Sequence, residues 1–210
     1  MIFQQSDADK MYEIPKTGIN RQLHSWIQFS FGSDMPFGEL DSKADALYNY
    51  YGFTYNRKIK FNAILSHGYG LGVHHQLYPL NQRGLSAVQR DTWDRGRLIY
   101  NGVNMSYFVR INFDPKRGNR FGIYMDLATF GQFNFHQRAK FVHGNLTEKV
   151  NKENFPERFA AGVETRVGYE SLSLYVRYKF FSERPDSGAY TNVDLAKWSA
   201  GLNIAIFNFR

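Results

Sequence analysis

Apolar and polar residues alternate with a period of two along most of this chain, most clearly in the segment 101–114. From residue 103 onward, apolar side chains take every second position and polar side chains take the others, with Phe108 as the exception. Because successive side chains of a β-strand point to opposite faces, this pattern predicts a strand with one apolar and one polar face. The apolar face carries Val103, Met105, Tyr107, Val109, Ile111 and Phe113, and the polar face carries Asn104, Ser106, Arg110, Asn112 and Asp114.

Segments with this period recur from residue 19 to the end of the chain, whereas a helical period is nowhere sustained. No internal repeat is detectable beyond the alternation itself. The pattern therefore predicts one all-β domain. The eight segments predicted to be strands are 19–31, 46–57, 60–78, 96–113, 120–136, 158–169, 172–182 and 194–208.

The connections between the predicted strands alternate between long and short. In an antiparallel meander, consecutive connections lie at opposite ends of the sheet, so the long loops share one end and the short turns share the other. The segments are also roughly 11 to 19 residues long, which exceeds the ~5–6 of typical strands and suffices for the ~9–11 that cross a tilted bilayer. The long connections are 32–45, 79–95, 137–157 and 183–193, and the short ones are 56–59, 114–119 and 170–171.

This layout resembles the small eight-stranded outer-membrane β-barrels of the OmpA/OmpX-like class. The resemblance is architectural and covers residues 19–209; it includes an aromatic near the end of the last strand, Phe209, although Arg210 departs from a strict final aromatic. It implies a transmembrane antiparallel up-and-down β-barrel at 19–210 in a Gram-negative bacterial outer membrane. The long loops would then be extracellular and the short turns periplasmic. Residues 1–18 would form an N-terminal periplasmic segment.

The polar faces of the fourth to seventh predicted strands carry charges of both signs together with several glycines. A narrow eight-stranded interior favours small residues and a few long charged ones that meet in the middle. Most of these charges lie at similar distances from the predicted turns, so we expect a plugged lumen crossed by a salt-bridge network. The residues assigned to this network are Arg110, Asp126, Glu164, Arg166, Arg177 and Lys179.

Large aromatic residues on the apolar faces concentrate near the strand ends. Two girdles at the membrane interfaces would have this distribution, and the alternative explanation is the ordinary β-propensity of aromatic residues. The residues assigned to the girdles are Phe113, Phe121 and Tyr169 near the turns, and Phe133, Phe135, Phe159, Tyr178, Phe180 and Trp198 toward the loops.

The formal net charge of +7 raises the question of a nucleic-acid partner. Aromatic and charged residues fall on opposite faces, so the stacking platform of a nucleic-acid site is not predicted. The basic residues at 56–60 and 114–120 instead predict a periplasmic rim that meets lipid headgroups or an acidic partner, with a simple solvated rim as the alternative. The rim residues are Arg57, Lys58, Lys60, Lys116, Arg117 and Arg120.

The chain has no cysteine, and its six histidines show no metal-ligand spacing, so neither a metal nor a cofactor is predicted. The only His/Ser neighbours are His24–Ser25 and Ser66–His67, and adjacency places the two side chains of each pair on opposite faces. No catalytic residue is therefore assigned. A His/Ser site assembled from residues on neighbouring strands remains an alternative, and it would make the protein a lipid-modifying enzyme.

Three functions follow from these patterns. The first is a non-enzymatic outer-membrane barrel that acts as a structural or interaction component. Its expected partners are outer-membrane lipid, including lipopolysaccharide, and other envelope proteins, either a barrel or a lipoprotein. The second is an outer-membrane lipid A deacylase or acyltransferase. The third is a soluble lipocalin-like carrier, in which the apolar face would point inward.

Overall fold

The computed structural model describes residues 22–35, 50–80, 93–114, 120–151, 155–183 and 195–209, and the regular secondary structure in these ranges is β-strand. Residues 1–18 and 115–119 and the middle of several long connections lie outside the described residues. The strands are β1 Leu23–Met35, β2 Tyr50–Lys60, β3 Leu65–Leu80, β4 Arg95–Asn112, β5 Ile123–His143, β6 Leu146–Asn151, β7 Phe159–Tyr169, β8 Leu172–Ser182 and β9 Trp198–Phe209.

The strands form one antiparallel sheet that closes into a ring. Neighbours in the order β4-β3-β2-β1-β9-β8-β7-β5 are hydrogen-bonded, and β4 also pairs with β5, which closes the circle. β6 pairs with the far end of β5, over Arg138–His143, and lies outside this circle. The predicted all-β antiparallel fold is confirmed. Within the ranges given above, the sheet has nine strands where the sequence predicts eight, and the additional strand is β6.

The first turn lies further along the chain than predicted. β2 continues through 56–59, and the chain reverses over 61–64. Asn62 explains this position, because its Oδ1 accepts hydrogen bonds from the backbone N–H groups of Ile64 and Leu65 at 2.9 and 2.7 Å. Asparagine stabilises turns by such bonds to the backbone that follows it. The charged residues assigned to the turn therefore belong to a strand.

Much of the predicted connection 137–157 is also sheet. β5 runs to His143, the chain turns at Gly144 with a φ of 51°, and β6 returns along β5. Burial of apolar side chains explains this extension, because Ala139 and Phe141 pack in a hydrophobic cluster beyond the predicted strand end. The prediction of a loop over this stretch is wrong.

A β-bulge explains why the alternation did not indicate the extension of β5. The register between β4 and β5 shifts between Asn101 and Gly102, which leaves Phe135 as the extra residue. Before the bulge, even-numbered side chains of β5 point inward; after it, the odd-numbered Ala139 and Phe141 do. A period counted from the first half of the strand therefore assigns the second half to the wrong faces.

The inner side of the ring is polar and the outer side is apolar. Buried polar side chains on the inner side include Gln28, Thr54, Asn56, Ser66, His74, Gln76, Asn104, Asn112, Gln132, Asn134, Ser173, Ser199 and Asn203. Exposed apolar side chains on the outer side, here called the apolar exterior, include Tyr51, Phe53, Tyr55, Tyr69, Leu71, Val73, Val103, Met105, Tyr107, Leu127, Val163, Val167, Leu174, Val176, Ile204 and Ile206.

Aromatic rings inside the ring of strands lie against glycines of the neighbouring strand. Phe108 is the register partner of Gly68, where an added Cβ would lie 2.5 Å from the Phe108 Cζ. Phe130 has the same relation to Gly162, with an added Cβ at 2.6 Å from its Cζ. These glycines are required because the facing ring occupies the space of a side chain. Two further pairs of this kind are Tyr124 with Gly168 and Tyr175 with Gly201.

Candidate functional site: a polar interior within an apolar exterior

The connections at 61–64 and 170–171, together with the end of β4 at Asn112 and the start of β5 at Ile123, lie at one end of the ring, here called the turn end, and the opposite end is called the loop end. Near the turn end, Arg110 of β4 and Asp126 of β5 are register partners. The Nε and Nη2 atoms of Arg110 donate to Oδ1 and Oδ2 of Asp126 at 2.7 and 2.8 Å. Both side chains are buried. This two-pronged geometry is the strong form of an arginine–carboxylate pair.

Aromatic rings enclose the guanidinium group of Arg110. Its Cζ atom lies 3.7 Å from the ring centroid of Tyr124, 5.1 Å from that of Trp26 and 5.6 Å from that of Phe121. His24 stacks on Trp26 with 5.3 Å between ring centroids. Ring faces attract a desolvated cation, so these rings and Asp126 together offset the cost of burying Arg110. We define the turn-end cluster as Arg110, Asp126, Trp26, Phe108, Phe121 and Tyr124.

Glu164 joins two further arginines to this cluster. Nε and Nη2 of Arg177 lie 2.8 and 2.6 Å from Glu164 Oε2, and Arg166 pairs with Glu164 along the same strand. The Nη1 atom of Arg166 lies 3.9 Å from Asp126 Oδ2. The structure thus brings five of the six predicted network residues, including Arg110, into one continuous group inside the ring.

Lys179, the sixth residue, also lies inside the ring in a buried ion pair, but its partner is Glu157 and not one of the other five residues. Its Nζ atom donates to Glu157 Oε1 and to Tyr78 Oη, both at 2.6 Å, and Tyr78 Oη donates to Glu157 Oε2 at 2.6 Å. All three side chains are buried. Glu157 lies outside the strands with a φ of 65°. Alternation along strands cannot predict the position of a residue outside the strands, so the sequence analysis did not identify Glu157.

A hydrophobic cluster surrounds this second ion pair at the loop end. The carbonyl of Glu157 accepts a hydrogen bond from Asn134 Nδ2 at 2.5 Å, and Asn134 Oδ1 lies 2.8 Å from His74 Nε2. The interior thus holds one group of packed side chains near the turn end and a second group near the loop end. We define the loop-end cluster as Lys179 and Glu157 with Tyr78, Leu80, Leu98, Tyr100, Ala139, Phe141 and Phe155.

One of the nine residues assigned to the aromatic girdles lies inside the ring. Phe121 is only 3% exposed and contacts Trp26 and His24. Its outward assignment is wrong because Gly122, with a φ of 65°, interrupts the alternation just before β5. The other eight lie on the outer side, namely Phe113, Tyr169, Phe133, Phe135, Phe159, Tyr178, Phe180 and Trp198.

The predicted basic rim is not a single surface. Lys58 is 1% exposed and lies on the inner side of β2, so its assignment to the rim is wrong. The error follows from the misplaced turn, since a residue within the strand must face one side of the sheet. Arg57 and Lys60 are half-buried near the turn end, and Arg120 is exposed there. Lys116 and Arg117 lie outside the described residues.

The histidines beside serines face different sides of the ring. His24 is buried inside, whereas His67 lies outside, where its Nδ1 is 3.0 Å from Tyr107 Oη and its ring stacks on Phe61 at 4.6 Å. His24 and His67 therefore do not form one site. Within the described ranges, no group of three His, Asp or Glu residues is placed to hold a metal ion.

No protein-family model and no curated protein sequence matches this chain. Among the described residues, no helix is long and apolar enough to span a membrane. The structure defines the class of fold, an all-β antiparallel ring with a polar interior and an apolar outer surface. The resemblance to the OmpA/OmpX-like class stays a prediction.

Proposed function

We propose that this chain is an integral β-barrel protein of a Gram-negative outer membrane, which acts as a structural or interaction component. Its partners are outer-membrane lipid, including lipopolysaccharide, and other envelope proteins. The apolar exterior contacts the hydrocarbon of the bilayer in this proposal. The closed ring supports it, because every backbone group within a membrane needs a hydrogen-bond partner and a closed sheet supplies one.

The distribution of polarity between the two sides of the ring carries the proposal. Leu71, Met105 and Leu174 are 59%, 63% and 63% exposed on the outside, while Asp126 and Glu164 are buried inside. Soluble proteins rarely expose contiguous apolar patches above a few hundred Å². An apolar band around the ring, with charges in the interior, is the arrangement that lipid on the outside would stabilise.

The two interior clusters support a plugged barrel over an open channel. The turn-end cluster and the loop-end cluster each combine an ion pair with aromatic rings. Water-filled pores are formed by barrels of about 16 or more strands, whereas the interior of about eight strands is filled by side chains or holds one small ligand. The apolar face also points outward, opposite to the direction that a lipocalin-like carrier requires. The buried, stacked position of His24 does not favour the lipid-modifying alternative.

Paired arginine substitutions test whether the outer surface contacts lipid. Leu71 lies in the apolar exterior, on the middle of β3, and Leu146 is 67% exposed on β6, outside the ring. In a bilayer, Leu71→Arg should lower the free energy of unfolding by about 2–4 kcal/mol, while Leu146→Arg should change it by less than about 0.5 kcal/mol. Urea unfolding in lipid vesicles measures both values.

Gel mobility provides the accompanying check. The protein extracted in mild detergent should run faster unheated than boiled, because a closed membrane barrel stays folded in the detergent. A protein that dissolves in water without detergent, shows no mobility shift and tolerates both arginine substitutions equally would contradict the proposal.

A further inference from the structure

A pocket of about 710 Å³ lies on the outer side of the sheet near the loop end. It is formed by the ends of β3, β4 and β5, above the apolar exterior. We call it the outer basic pocket, and the lining residues used below are Leu77, Pro79, Arg95, Arg97, Lys140 and Val142.

Three cations lie side by side on adjacent strands at this surface. Arg97 of β4 is the register partner of Lys140 of β5, and Lys140 is the register partner of Lys149 of β6. Like charges directly opposite in a sheet are destabilising. An anion placed between these side chains would convert the repulsion into attraction.

Asp94, an acidic residue of the pocket lining, already contacts other groups. Asp94 accepts a hydrogen bond from the backbone N–H of Gly144 at 2.7 Å, and its other oxygen lies 3.8 Å from His143 Nδ1. In the part of the chain that the structure describes, no carboxylate forms an ion pair with Arg97 or Lys140. The pocket therefore carries a net positive charge and has room for an external anion.

The position of the pocket along β4 indicates where such an anion would lie. Outward residues from Ile111 to Val103 are apolar, and Arg97 follows six residues beyond Val103. At a rise of about 3.3 Å per residue, Arg97 is roughly 20 Å from Val103 along the strand. With strands tilted by about 35–45°, the apolar stretch covers most of a band of about 25 Å, and Arg97 lies beyond it. That level corresponds to the headgroups of the outer leaflet.

We propose that the outer basic pocket binds a phosphate monoester on the headgroup of an outer-leaflet glycolipid. Arginine matches the geometry of phosphate oxygens, and lysine adds a point charge. The apolar lining from Leu77, Pro79 and Val142 suits the carbon-bearing part of a lipid more than free phosphate. This inference rests on the proposed membrane location and names the lipid contact of that surface.

Retention of lipid A tests this site. The full chain is reconstituted in phosphatidylcholine nanodiscs with lipid A, or with the same lipid A after phosphatase treatment, and native mass spectrometry counts the lipid retained. We expect phosphorylated lipid A to be retained about tenfold more tightly than the treated form, as the loss of charge-assisted contacts predicts. Arg97→Gln with Lys140→Gln should remove this difference.

A matched control removes the same two charges elsewhere. Arg158→Gln with Lys197→Gln replaces an exposed arginine and an exposed lysine at the loop end that do not line the pocket. Retention unchanged in this control supports the pocket, and equal loss in both double variants overturns it. Retention independent of the phosphates also overturns it. Displacement by inorganic phosphate at comparable affinity would assign the pocket to free phosphate instead of a lipid.

The mobility shift of each variant is measured first, so that the two proposals fail separately. A chain that inserts into the nanodisc and retains no lipid A contradicts the phosphate site alone. A chain that does not insert contradicts the membrane proposal, and the lipid site with it.

Discussion

Arg110 and Lys179 are both buried cations paired with a carboxylate, but different parts of the molecule hold them. Asp126, the partner of Arg110, is its register partner on the adjacent strand. Glu157, the partner of Lys179, lies outside the strands, and its backbone N–H donates to the carbonyl of Glu183 at 2.6 Å. The first pair is thus part of the wall of the ring. The second pair attaches a segment to its end, so the two pairs should differ in what their loss destabilises.

Asp126→Asn should have the largest effect, because it leaves Arg110 buried without its counter-charge. Removing one partner of a buried ion pair costs about 3–5 kcal/mol. We expect the free energy of global unfolding, measured by urea titration in lipid vesicles, to fall by this amount, because the pair joins two strands of the ring. Adding Arg110→Met should recover most of the loss, because an apolar pair tolerates burial. Equal stability of Asp126→Asn and wild type would contradict the pairing.

Phe121→Leu should have an intermediate effect, since Phe121 packs on the rings around Arg110 inside the turn-end cluster. Loss of its contacts with the cation and with Trp26 should cost about 1–2 kcal/mol. Phe113→Leu is the matched control, because Phe113 directly follows β4 at the same end of the ring and is 58% exposed. If the two variants unfold at the same urea concentration, Phe121 does not lie inside the ring.

Glu157→Gln should have the smallest effect on global stability, about 1 kcal/mol. Glu157 lies outside the strands, so its loss releases the end of a segment while the paired strands of the ring keep their contacts. The local effect should be larger. Hydrogen exchange should accelerate at Tyr78, Leu98 and Phe141 while Arg110 and Asp126 keep their protection. Glu170→Gln at the turn end is the control. Uniform acceleration across the ring would show that the loop-end pair also stabilises the wall.

The strands and most of the inner network could be predicted from the sequence because alternation is a local consequence of extended backbone. Arg110, Asp126 and Glu164 lie in regular stretches of β4, β5 and β7, so counting positions assigns them to the inner side. Their contacts then follow from antiparallel register. The same reasoning placed Tyr169 and Trp198 on the outer side, where both are exposed.

The errors share one physical cause, a local departure from regular extended structure. Gly122 with its positive φ turned Phe121 inward, the turn at Asn62 left Lys58 within a strand, and the bulge at Phe135 hid the continuation of β5. Glu157 is positioned by contacts from distant strands, and no neighbouring residue indicates them. Predicting this residue requires the closed ring itself.

The facing aromatic–glycine pairs imply that the interior of this ring varies by pairs of residues and not by single ones. Phe108 occupies the space that Gly68 leaves empty, and Phe130 does the same with Gly162. A larger residue at the glycine alone would collide with the ring, and a smaller residue at the aromatic alone would open a void. Related chains should therefore exchange large and small residues across adjacent strands together. Such correlated substitutions would report the strand register of the ring even where overall sequence similarity has been lost.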